Sequence, residues 1–381
     1  MKLSYISNQR LPTEKAYGIQ IVKTCEAFAD LGIDITLVVP YRRNDIAKNI
    51  FDYYSIKRNF EFRKIFSPDF YLPGKLDKIA FAVKNFISAI ILVVHTLFLR
   101  VDIIYSRDEP IIFFSSFLRK SRGLIFEAHR FSDLRQFFYR RFKKKNIKII
   151  AISNGLKNKF MEFGFKPENI LVAPDGVNIE KFNINKTKEE CRRELDLPLD
   201  KKIVLYSGHL FEWKGAHILA EAVVYLQEVL FVFIGGTEAN ILEFQKKFGN
   251  GKNIKIFGQK PHEEIPLFLK TADVLVLPNS AKEIISSLYT SPLKLFEYMA
   301  SGRPIVASDL PSIREVLNEK NSILVKPDDA EALASGIKKA LGDITLSDQI
   351  SRTAFEDVKK YTWGKRAVKI HDYIIQNLPS R

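Results

Sequence analysis

Cysteine is scarce in this chain, with Cys25 and Cys191 as the only two among 381 residues. The two lie far apart, and no C-x-x-C pair or metal-type spacing accompanies them, which argues against a disulfide framework and a zinc site. The N-terminal segment Met1 to Ser7 lacks the long apolar core and small-residue cleavage site of a signal peptide. These absences predict a protein that stays in a reducing compartment, the cytoplasm, where it is made.

No apolar run reaches the length of about 20 residues that a membrane-spanning helix needs. The candidate at residues 85–99 has 15 residues between Lys84 and Arg100, and its one potentially charged residue is His95. We interpret this segment as a helix buried between a sheet and the protein surface. A helix that lies in a lipid interface is the alternative, favoured by the basic flanks.

Acidic residues are outnumbered, since 44 Asp and Glu face 59 Lys and Arg, a formal net charge of +15. The excess lies in residues 1–185, which hold 31 basic and 18 acidic side chains. A basic domain attracts nucleic acid, an anionic membrane or a phosphorylated substrate. No RNA- or DNA-binding motif accompanies the charge, so nucleic acid is not an expected partner. Residues 135–148, rich in basic and aromatic side chains, form either a solvated helix face or a patch for an anionic leaflet.

Short apolar runs alternate with helical stretches along the chain, which predicts βαβ units and an α/β fold with parallel sheets. Strands are predicted at residues 3–7, 34–39, 101–106, 124–128, 147–152 and 170–173, and again at 203–207, 229–234, 254–257, 274–277 and 304–307. The rhythm restarts after a polar stretch, which indicates two doubly wound sheets. We place the domains at residues 1–185 and 186–360, followed by a C-terminal helix at 361–381.

A helix-start signal stands in the segment YTSPLKLFEYMASG. Ser291 is a favoured N-cap, Pro292 suits the first helical position, and Gly302 stands where a helix ends. The first amides of a helix lack internal partners, and the helix dipole makes that end partly positive. Leu293 and Lys294 are therefore predicted to hold a phosphate through their amides.

Glu297 follows Leu293 by four residues, so the two lie on the same helix face. Its carboxylate is predicted to accept hydrogen bonds from sugar hydroxyls above the helix start. The alternative interpretation is a well-capped helix with an exposed glutamate, because capped helices are common.

A second signal is the loop that follows the predicted strand 203–207. Gly208 allows the backbone to approach a ligand, and the ammonium of Lys214 can meet a phosphate as a point charge. Ligands of open α/β sheets bind beyond the carboxyl ends of the strands, where this loop falls. The loop is neither a GxGxxG sequence nor a P-loop, which disfavours a dinucleotide or Walker-type site.

Taken in order, these segments resemble the retaining glycosyltransferases of family 4, which have the GT-B fold of two Rossmann-like domains facing across a cleft. The resemblance covers nearly the whole chain, with further matches at Tyr17-Gly18, APDGVN (173–178), FGQ (257–259), ADV (272–274) and YTW (361–363). It implies an acceptor-side first domain, a second domain that binds a nucleotide-sugar, and a C-terminal helix that crosses back onto the first domain.

The resemblance also assigns roles to individual residues. Its donor-binding positions are Gly18, Gly208, His209, Lys214, Gln259, Ser291, Pro292, Leu293, Lys294 and Glu297. Lys214 and the helix-start amides would bind the diphosphate, Glu297 the ribose hydroxyls, and Gln259 the base. The catalytic candidates are His129, Glu297 and Lys214. No metal or cofactor is implied, since the nucleotide-sugar is a co-substrate.

The chain departs from the family pattern at two positions. The usual arginine after the loop glycine is His209 here, so diphosphate binding depends more on Lys214 and Lys294. The usual motif has two glutamates separated by seven residues, whereas Tyr289 occupies the first position. Glu283 is the candidate substitute for that missing sugar contact.

His129 directly follows the predicted strand 124–128. A lone histidine at a strand end is more often structural than functional, whereas the family has a histidine in a similar Glu-x-His context that contacts the transferred sugar. Glu127 precedes His129 by two residues, points to the same side of the strand and can orient the imidazole. Arg107, Glu127 and Arg130 are assigned to the acceptor side.

The sequence thus predicts a retaining, metal-independent glycosyltransferase that moves a sugar from a nucleotide-sugar to a glycan or lipid-linked acceptor. Assembly of a surface polysaccharide or glycolipid is the expected context. We expect the protein in the cytoplasm, peripheral on the inner face of the membrane through its basic first domain. The alternative, motivated by Tyr289, is a non-catalytic membrane-associated protein of the same fold that binds sugar nucleotides.

Overall fold

The computed structural model describes residues 1–74, 76–118, 123–249 and 251–377, and it divides into two compact units. The first unit comprises residues 1–152, 156–174 and 363–381, and the second comprises residues 153–155 and 175–362. Of the predicted C-terminal helix segment, residues 378–381 lie outside the described part of the chain.

The chain enters the second unit after Pro174, whereas the sequence places the boundary after residue 185. Two contacts hold the intervening segment to the second unit. The Val177 N–H donates a hydrogen bond to the Tyr361 carbonyl over 2.9 Å, and Phe182 is buried in a core cluster of the second unit.

The first unit contains a parallel sheet in the order β3-β2-β1-β4-β5-β6-β7. Its strands are β1 (Lys2–Ile6), β2 (Asp34–Pro40), β3 (Glu61–Ile65), β4 (Ile103–Ser106), β5 (Leu124–Ala128), β6 (Lys148–Ala151) and β7 (Ile170–Val172). Its helices are α1 (Ala16–Asp30), α2 (Ile50–Tyr54), α3 (Leu76–Leu97), α4 (Glu109–Leu118), α5 (Gln136–Lys144) and α6 (Asn154–Glu162). The strand order reverses between β1 and β4, where open α/β sheets form their ligand crevice.

The second unit repeats this plan with a parallel sheet in the order β10-β9-β8-β11-β12-β13. Its strands are β8 (Lys202–Ser207), β9 (Val229–Ile234), β10 (Ile254–Ile256), β11 (Val274–Leu277), β12 (Ile305–Ser308) and β13 (Ile323–Val325). Its helices are α7 (Ile179–Phe182), α8 (Lys188–Glu194), α9 (Ala216–Glu221), α10 (Glu238–Phe248), α11 (Ile265–Thr271), α12 (Leu293–Ala300), α13 (Pro311–Arg314), α14 (Ala330–Gly342) and α15 (Ile344–Val358). The last helix, α16 (Trp363–Asn377), belongs to the first unit and packs against α1.

Strand β8 shows why this sheet has two hydrophobic faces. Ile203 and Leu205 lie in the core cluster that includes α12, whereas Val204 and Tyr206 lie in the cluster that includes α14. Successive side chains of a strand point to opposite faces, so a strand covered on both sides reads as a continuous apolar run. The polar residues lie in the loops that follow the strand ends.

Helix α3 differs from the sequence-based prediction. It has 22 residues, and its most apolar stretch of 18 residues has a mean hydropathy of 1.8, so the helix is long and apolar enough by those measures to cross a membrane; 39% of that stretch is buried. One face is buried through small and apolar residues and through Lys84, which is paired with Asp69. On the other face Ile79, Val83, Ile87, Ile90 and Val94 are exposed. The prediction of a helix buried between sheet and surface is therefore wrong for that outer face, which has no packed layer above it in the described part of the chain.

Gly215 provides a test of how tightly the loop after β8 is held. Its φ of +74° lies in the left-handed region, and a Cβ there would lie 1.6 Å from the Pro278 carbonyl oxygen. Gly302 has a similar φ of +65° but no atom near its would-be Cβ. Alanine costs about 1 to 2 kcal/mol at either position because of the left-handed backbone.

We expect Gly215→Ala to cost a further 1 to 3 kcal/mol or so from steric overlap, and thus to lower the melting temperature more than the Gly302→Ala control. Thermal unfolding followed by circular dichroism measures both. Equal melting temperatures for the two variants would contradict the close packing of the loop on Pro278.

Candidate active site

Lys294 is a buried lysine at the second position of α12. Its Nζ lies 3.8 Å from the ring centroid of Tyr206, and a Cβ at Gly208 would lie 3.5 Å from the same Nζ. Among the described residues no hydrogen-bond acceptor reaches this Nζ. Burial and then the charge of Lys214 lower the pKa of Lys294 well below its usual value, although Glu297 acts in the opposite direction. A bound anion would restore the favourable environment of an ammonium group.

Lys214 supplies the second positive charge. It ends the 3₁₀ turn Glu212–Lys214 that follows β8, and its Nζ lies 5.2 Å from the Trp213 ring centroid. Burial lowers the pKa of Lys214 to about 8. Because the charge of Lys214 lowers the pKa of Lys294, the two side chains lie in one electrostatic site, which suits an anion of more than one negative charge.

Gly208 and His209 form the start of the loop between β8 and this turn. Gly208 has a φ of +135°, which L side chains rarely adopt, and its N–H donates to the Ile234 carbonyl over 2.8 Å. The His209 ring stacks on Phe211 with centroids 5.0 Å apart, and its carbonyl accepts a hydrogen bond from the Tyr206 hydroxyl. The loop therefore brings backbone, not a bulky side chain, next to Lys294.

The start of α12 corrects the predicted capping. Pro292 has an extended backbone with ψ of 125°, so the helix begins at Leu293 and Pro292 itself is the cap residue. Ser291 lies one residue too early to be the N-cap, and its hydroxyl instead accepts a hydrogen bond from the Asp175 N–H over 3.1 Å. The amides of Leu293 and Lys294 are still in the first turn, where helix amides lack intrahelical acceptors.

Glu297 is buried rather than exposed, and it has a partner that the sequence did not reveal. His262 Nε2 lies 2.7 Å from Glu297 Oε1, and the His262 ring also packs edge-on against Phe182 at 5.7 Å. The side chain of Glu297 is 10% exposed. Since His262 occupies Oε1, the other carboxylate oxygen can accept hydrogen bonds from a ligand.

The remaining predicted positions of the second unit differ in burial. Tyr289, in place of the family glutamate, is buried at the end of a π-helical turn, Ile285–Tyr289. Glu283 and Gln259 are exposed. Gln259 follows Gly258, whose φ of +64° turns the chain after β10. Among the described residues, no three His, Cys, Asp or Glu side chains lie close enough together to hold a metal ion.

In the first unit, Glu127 and His129 are paired as the sequence predicts. Glu127 is fully buried at the end of β5, and its Oε1 lies 3.0 Å from His129 Nε2. The His129 side chain is 17% exposed. Burial and then the positive charge of Arg107 lower the pKa of His129 to about 4, although Glu127 acts in the opposite direction. The imidazole is therefore neutral at physiological pH.

Gly18, Arg107 and Arg130 have distinct environments. Gly18 lies in the first turn of α1, where a Cβ would lie 2.0 Å from the Tyr54 hydroxyl, so internal packing already requires glycine there. Arg107 donates to the Gln20 side-chain oxygen over 3.0 Å. Arg130 is exposed immediately after His129. Gly18 and Arg107 thus have partners within the unit, while Arg130 extends toward solvent.

The architecture of two doubly wound parallel sheets is that of GT-B glycosyltransferases. Anabaena HepE, solved with UDP and glucose, matches 98% of both chains with a TM-score of 0.76 at 17% identity. Sucrose-phosphate synthase from Thermosynechococcus elongatus also matches 98% of both chains, with a TM-score of 0.78 at 19% identity. Likeness at such low identity shows the fold alone, which is the predicted α/β GT-B fold.

Two family models match the sequence in succession, Glycosyltransferase Family 4 at residues 18–181 and Glycosyl transferases group 1 at residues 187–357. The chain therefore belongs to glycosyltransferase family 4, and the family resemblance in the sequence is confirmed.

Among its curated relatives, D-inositol 3-phosphate glycosyltransferase of Corynebacterium urealyticum is 25% identical over 253 residues, which are 62% of this chain and 58% of that protein. Amylovoran biosynthesis glycosyltransferase AmsK of Erwinia amylovora is 31% identical over 222 residues, 56% and 51% of the two chains. The chain spans about half the length of the curated relatives it matches.

The lysine pair predicts a pH-dependent affinity for diphosphate. In the free protein Lys214 loses its proton as the pH rises through about 8, so the site loses positive charge and pyrophosphate affinity falls. Below that pH the site is charged and binding takes up little or no proton at Lys214. Calorimetric titration with pyrophosphate at several pH values, in buffers of different ionisation enthalpy, measures both the affinity and the protons taken up. Affinity that stays constant between pH 7 and 9 would rule out this coupling.

Two substitutions distinguish the contribution of Lys294 to pyrophosphate binding from that of surface charge in general. We expect Lys294→Met to weaken pyrophosphate binding about tenfold or more, equivalent to roughly 1.4 kcal/mol, because a buried cation is removed. Lys282→Met removes an exposed lysine of the same unit and should leave the affinity nearly unchanged. An equal loss in the two variants would show that net charge, and not the buried site, controls binding.

Proposed function

We propose that this protein transfers a sugar from a nucleotide-sugar to a glycan or lipid-linked acceptor, with retention at the anomeric carbon, in surface polysaccharide or glycolipid assembly. The observation that carries the proposal is the pair of lysines at the strand reversal of the second sheet, Lys294, which is buried, and Lys214, which is partly buried. The amylovoran biosynthesis relative supports the polysaccharide context. HepE has been solved with UDP-glucose, which supports a nucleotide-sugar as donor.

The lysine pair suits the chemistry of a departing diphosphate. As the bond between the sugar and the diphosphate breaks, negative charge grows on the leaving group. Lys214, Lys294 and the first amides of α12 would stabilise that charge without having to reorganise during the reaction. This role is the one that a divalent metal fills in other enzymes, and our proposal of a metal-independent reaction rests on these two ammonium groups.

The nucleoside would be held by Glu297. His262 holds one oxygen of its carboxylate, which fixes the orientation of the carboxylate. The other oxygen can then accept hydrogen bonds from the ribose hydroxyls. A pre-oriented acceptor loses less entropy when it binds a ligand than a mobile one. Gln259 is assigned to the base and His129 to the transferred sugar. The neutral imidazole of His129 can hydrogen-bond to a hydroxyl but does not act as an acid near pH 7.

A non-catalytic sugar-nucleotide-binding protein is the second candidate function, and one observation favours it. Tyr289 replaces the glutamate that family members use for the sugar, and its side chain is buried. Glu283, the candidate substitute, is exposed. Nucleotide binding without any release of nucleoside diphosphate would favour this second candidate, whereas turnover would exclude it.

Donor turnover tests the proposed reaction. After a thermal-shift screen of nucleotide-sugars has identified a stabilising donor, release of nucleoside diphosphate is measured with and without candidate acceptors. We expect Lys214→Ala to lower kcat/KM about a hundredfold, or roughly 2.7 kcal/mol of transition-state stabilisation. Lys246→Ala, which removes an exposed lysine of α10, is the matched control. Unchanged turnover in a Lys214→Ala, Glu297→Ala double variant would refute the site assignment.

We further propose that the protein is cytoplasmic and peripheral on the inner face of the membrane, through a surface of α3, α4 and α5 that we call the apolar–basic face. Aromatic side chains join the three helices: Phe86 of α3 lies 6.1 Å from Phe114 of α4, and Phe113 lies 5.2 Å from Phe138 of α5, between ring centroids. The outer residues of α3 and Phe117 of α4 leave this face exposed and apolar.

The basic side chains beside the apolar–basic face indicate what binds there. The Arg141 guanidinium lies 3.8 Å from the ring centroid of the exposed Phe117, which places a cation at the border of the apolar surface. Arg140 and Lys144 are exposed on α5. Each basic side chain near an anionic leaflet contributes about 1 kcal/mol, and the apolar side chains can enter the boundary between headgroups and acyl chains. An anionic leaflet therefore matches this face in both properties.

Vesicle flotation tests the apolar–basic face. We expect the protein to float with vesicles of phosphatidylcholine and phosphatidylglycerol, and much less with phosphatidylcholine alone. Replacing Ile87 and Ile90 together by Glu should abolish flotation, because charges would enter the apolar boundary. Ile344→Glu alters an exposed isoleucine of the second unit and should float like the natural protein. Flotation independent of both anionic lipid and the α3 substitutions would overturn the proposal.

A further inference from the structure

The carboxylate of Glu127 receives hydrogen bonds from several elements of the first unit. Arg366 of α16 donates through Nη2 to Oε1 over 2.6 Å, and His129 Nε2 lies 3.0 Å from the same oxygen. Gln20 of α1 also donates to Oε1, and the Tyr5 hydroxyl of β1 donates to Oε2 over 3.3 Å. A fully buried carboxylate thus links the C-terminal helix to the histidine at the end of β5.

Arg366 is held in place on three sides. Its Nε donates to the Pro174 carbonyl over 3.0 Å, its Nη1 donates to Thr24 Oγ1 over 3.3 Å, and its Nη2 binds Glu127. The residue is 5% exposed. A guanidinium carries its donors in a rigid fork, so this arrangement fixes the position of the Glu127 oxygen that faces the imidazole.

The protonation state of Glu127 determines the tautomer of His129. Burial alone would raise the pKa of Glu127, but the charge of Arg366 and the hydrogen bond from His129 outweigh burial and hold the pKa well below its usual range. A carboxylate can only accept hydrogen bonds. The neutral imidazole must therefore carry its proton on Nε2, which leaves Nδ1 as a hydrogen-bond acceptor.

We propose that Arg366 is a positioning residue for His129: acting through Glu127, it selects the Nε2–H tautomer and so presents Nδ1 as an acceptor for a hydroxyl of the transferred sugar. The sugar contact rests on the proposed function, whereas the choice of tautomer does not. Arg107 after β4 and Arg366 of α16 are the charged groups that act on both Glu127 and His129. Tyr5 of β1, Cys25 of α1 and Tyr105 of β4 are the titratable groups that face Glu127.

Nitrogen-15 NMR of the imidazole rings tests the tautomer directly, because two-bond couplings distinguish a protonated from an unprotonated ring nitrogen. The signal of His129 is assigned by its loss in a His129→Gln variant. We expect a single Nε2–H tautomer from pH 6 to 8 in the natural protein. In Arg366→Met the single tautomer should be lost, through a mixture of tautomers or a protonated ring, and Arg366→Lys should restore much of it.

Two further variants separate this role from docking of α16. Tyr373→Phe removes another bond between α16 and the rest of the first unit, the one that the Tyr373 hydroxyl donates to the Glu168 carbonyl, and should leave His129 unchanged. If Arg366→Met does not fold, the neutral pair Glu127→Gln, Arg366→Met removes both charges together, and it too should lose the single tautomer. A folded Arg366→Met or double variant with the natural tautomer at His129 would overturn the proposal.

Kinetics with the identified donor give the functional readout. Arg366→Met should lower kcat about tenfold or more while the dissociation constant for nucleoside diphosphate stays within about twofold, because the change affects the sugar contact and not the lysine pair. Loss of nucleotide affinity equal to the loss of kcat would indicate a structural role and refute positioning. Absence of any turnover in the natural protein would contradict the proposed function and leave the NMR test of Arg366 intact.

Discussion

The cost of burying a charge is the constraint on which both candidate sites depend. Glu127 is buried with a cationic partner, Arg366, so the pair is satisfied within the first unit. Lys294 is buried against the Tyr206 ring, and the described residues offer its Nζ no hydrogen-bond acceptor. A buried charge without a partner either gives up its ionisation or gains a counter-ion. The same physics therefore makes Glu127 part of the fold and makes Lys294 receptive to an anionic ligand.

Much of the fold could be predicted because parallel strands covered on both faces are continuous apolar runs. Each predicted strand is present with its ends within two residues of the structure. The strands that the sequence did not reveal are edge strands: β3 (EFRKI) has no fully buried residue, and β13 has three residues. Helix α3 was predicted as a helix, but its burial was predicted wrongly, because an apolar composition does not show what packs against the helix.

The candidate site could be predicted only where one short segment carries the information. Lys214 and Glu297 belong to short, recognisable local patterns, whereas His262 contacts Glu297 from 35 positions away and Arg366 contacts Glu127 from 239 positions away. Such pairings depend on how helices pack against a sheet. Ser291 shows that a local pattern can also mislead. Serine is a favoured N-cap, but the extended backbone of Pro292 makes the helix begin one residue later than predicted.

The position of α16 has a consequence for the order in which the chain folds. Arg366 bonds to Pro174 across 192 positions of sequence, so the ribosome must synthesise the entire second unit before the first can be completed. Arg366 follows Glu127 by 239 positions, so at about 5 to 20 residues per second Glu127 would wait about 10 to 50 s for its guanidinium partner. During that interval its carboxylate must remain hydrated or protonated. The first unit therefore closes its core last, although most of it is made first.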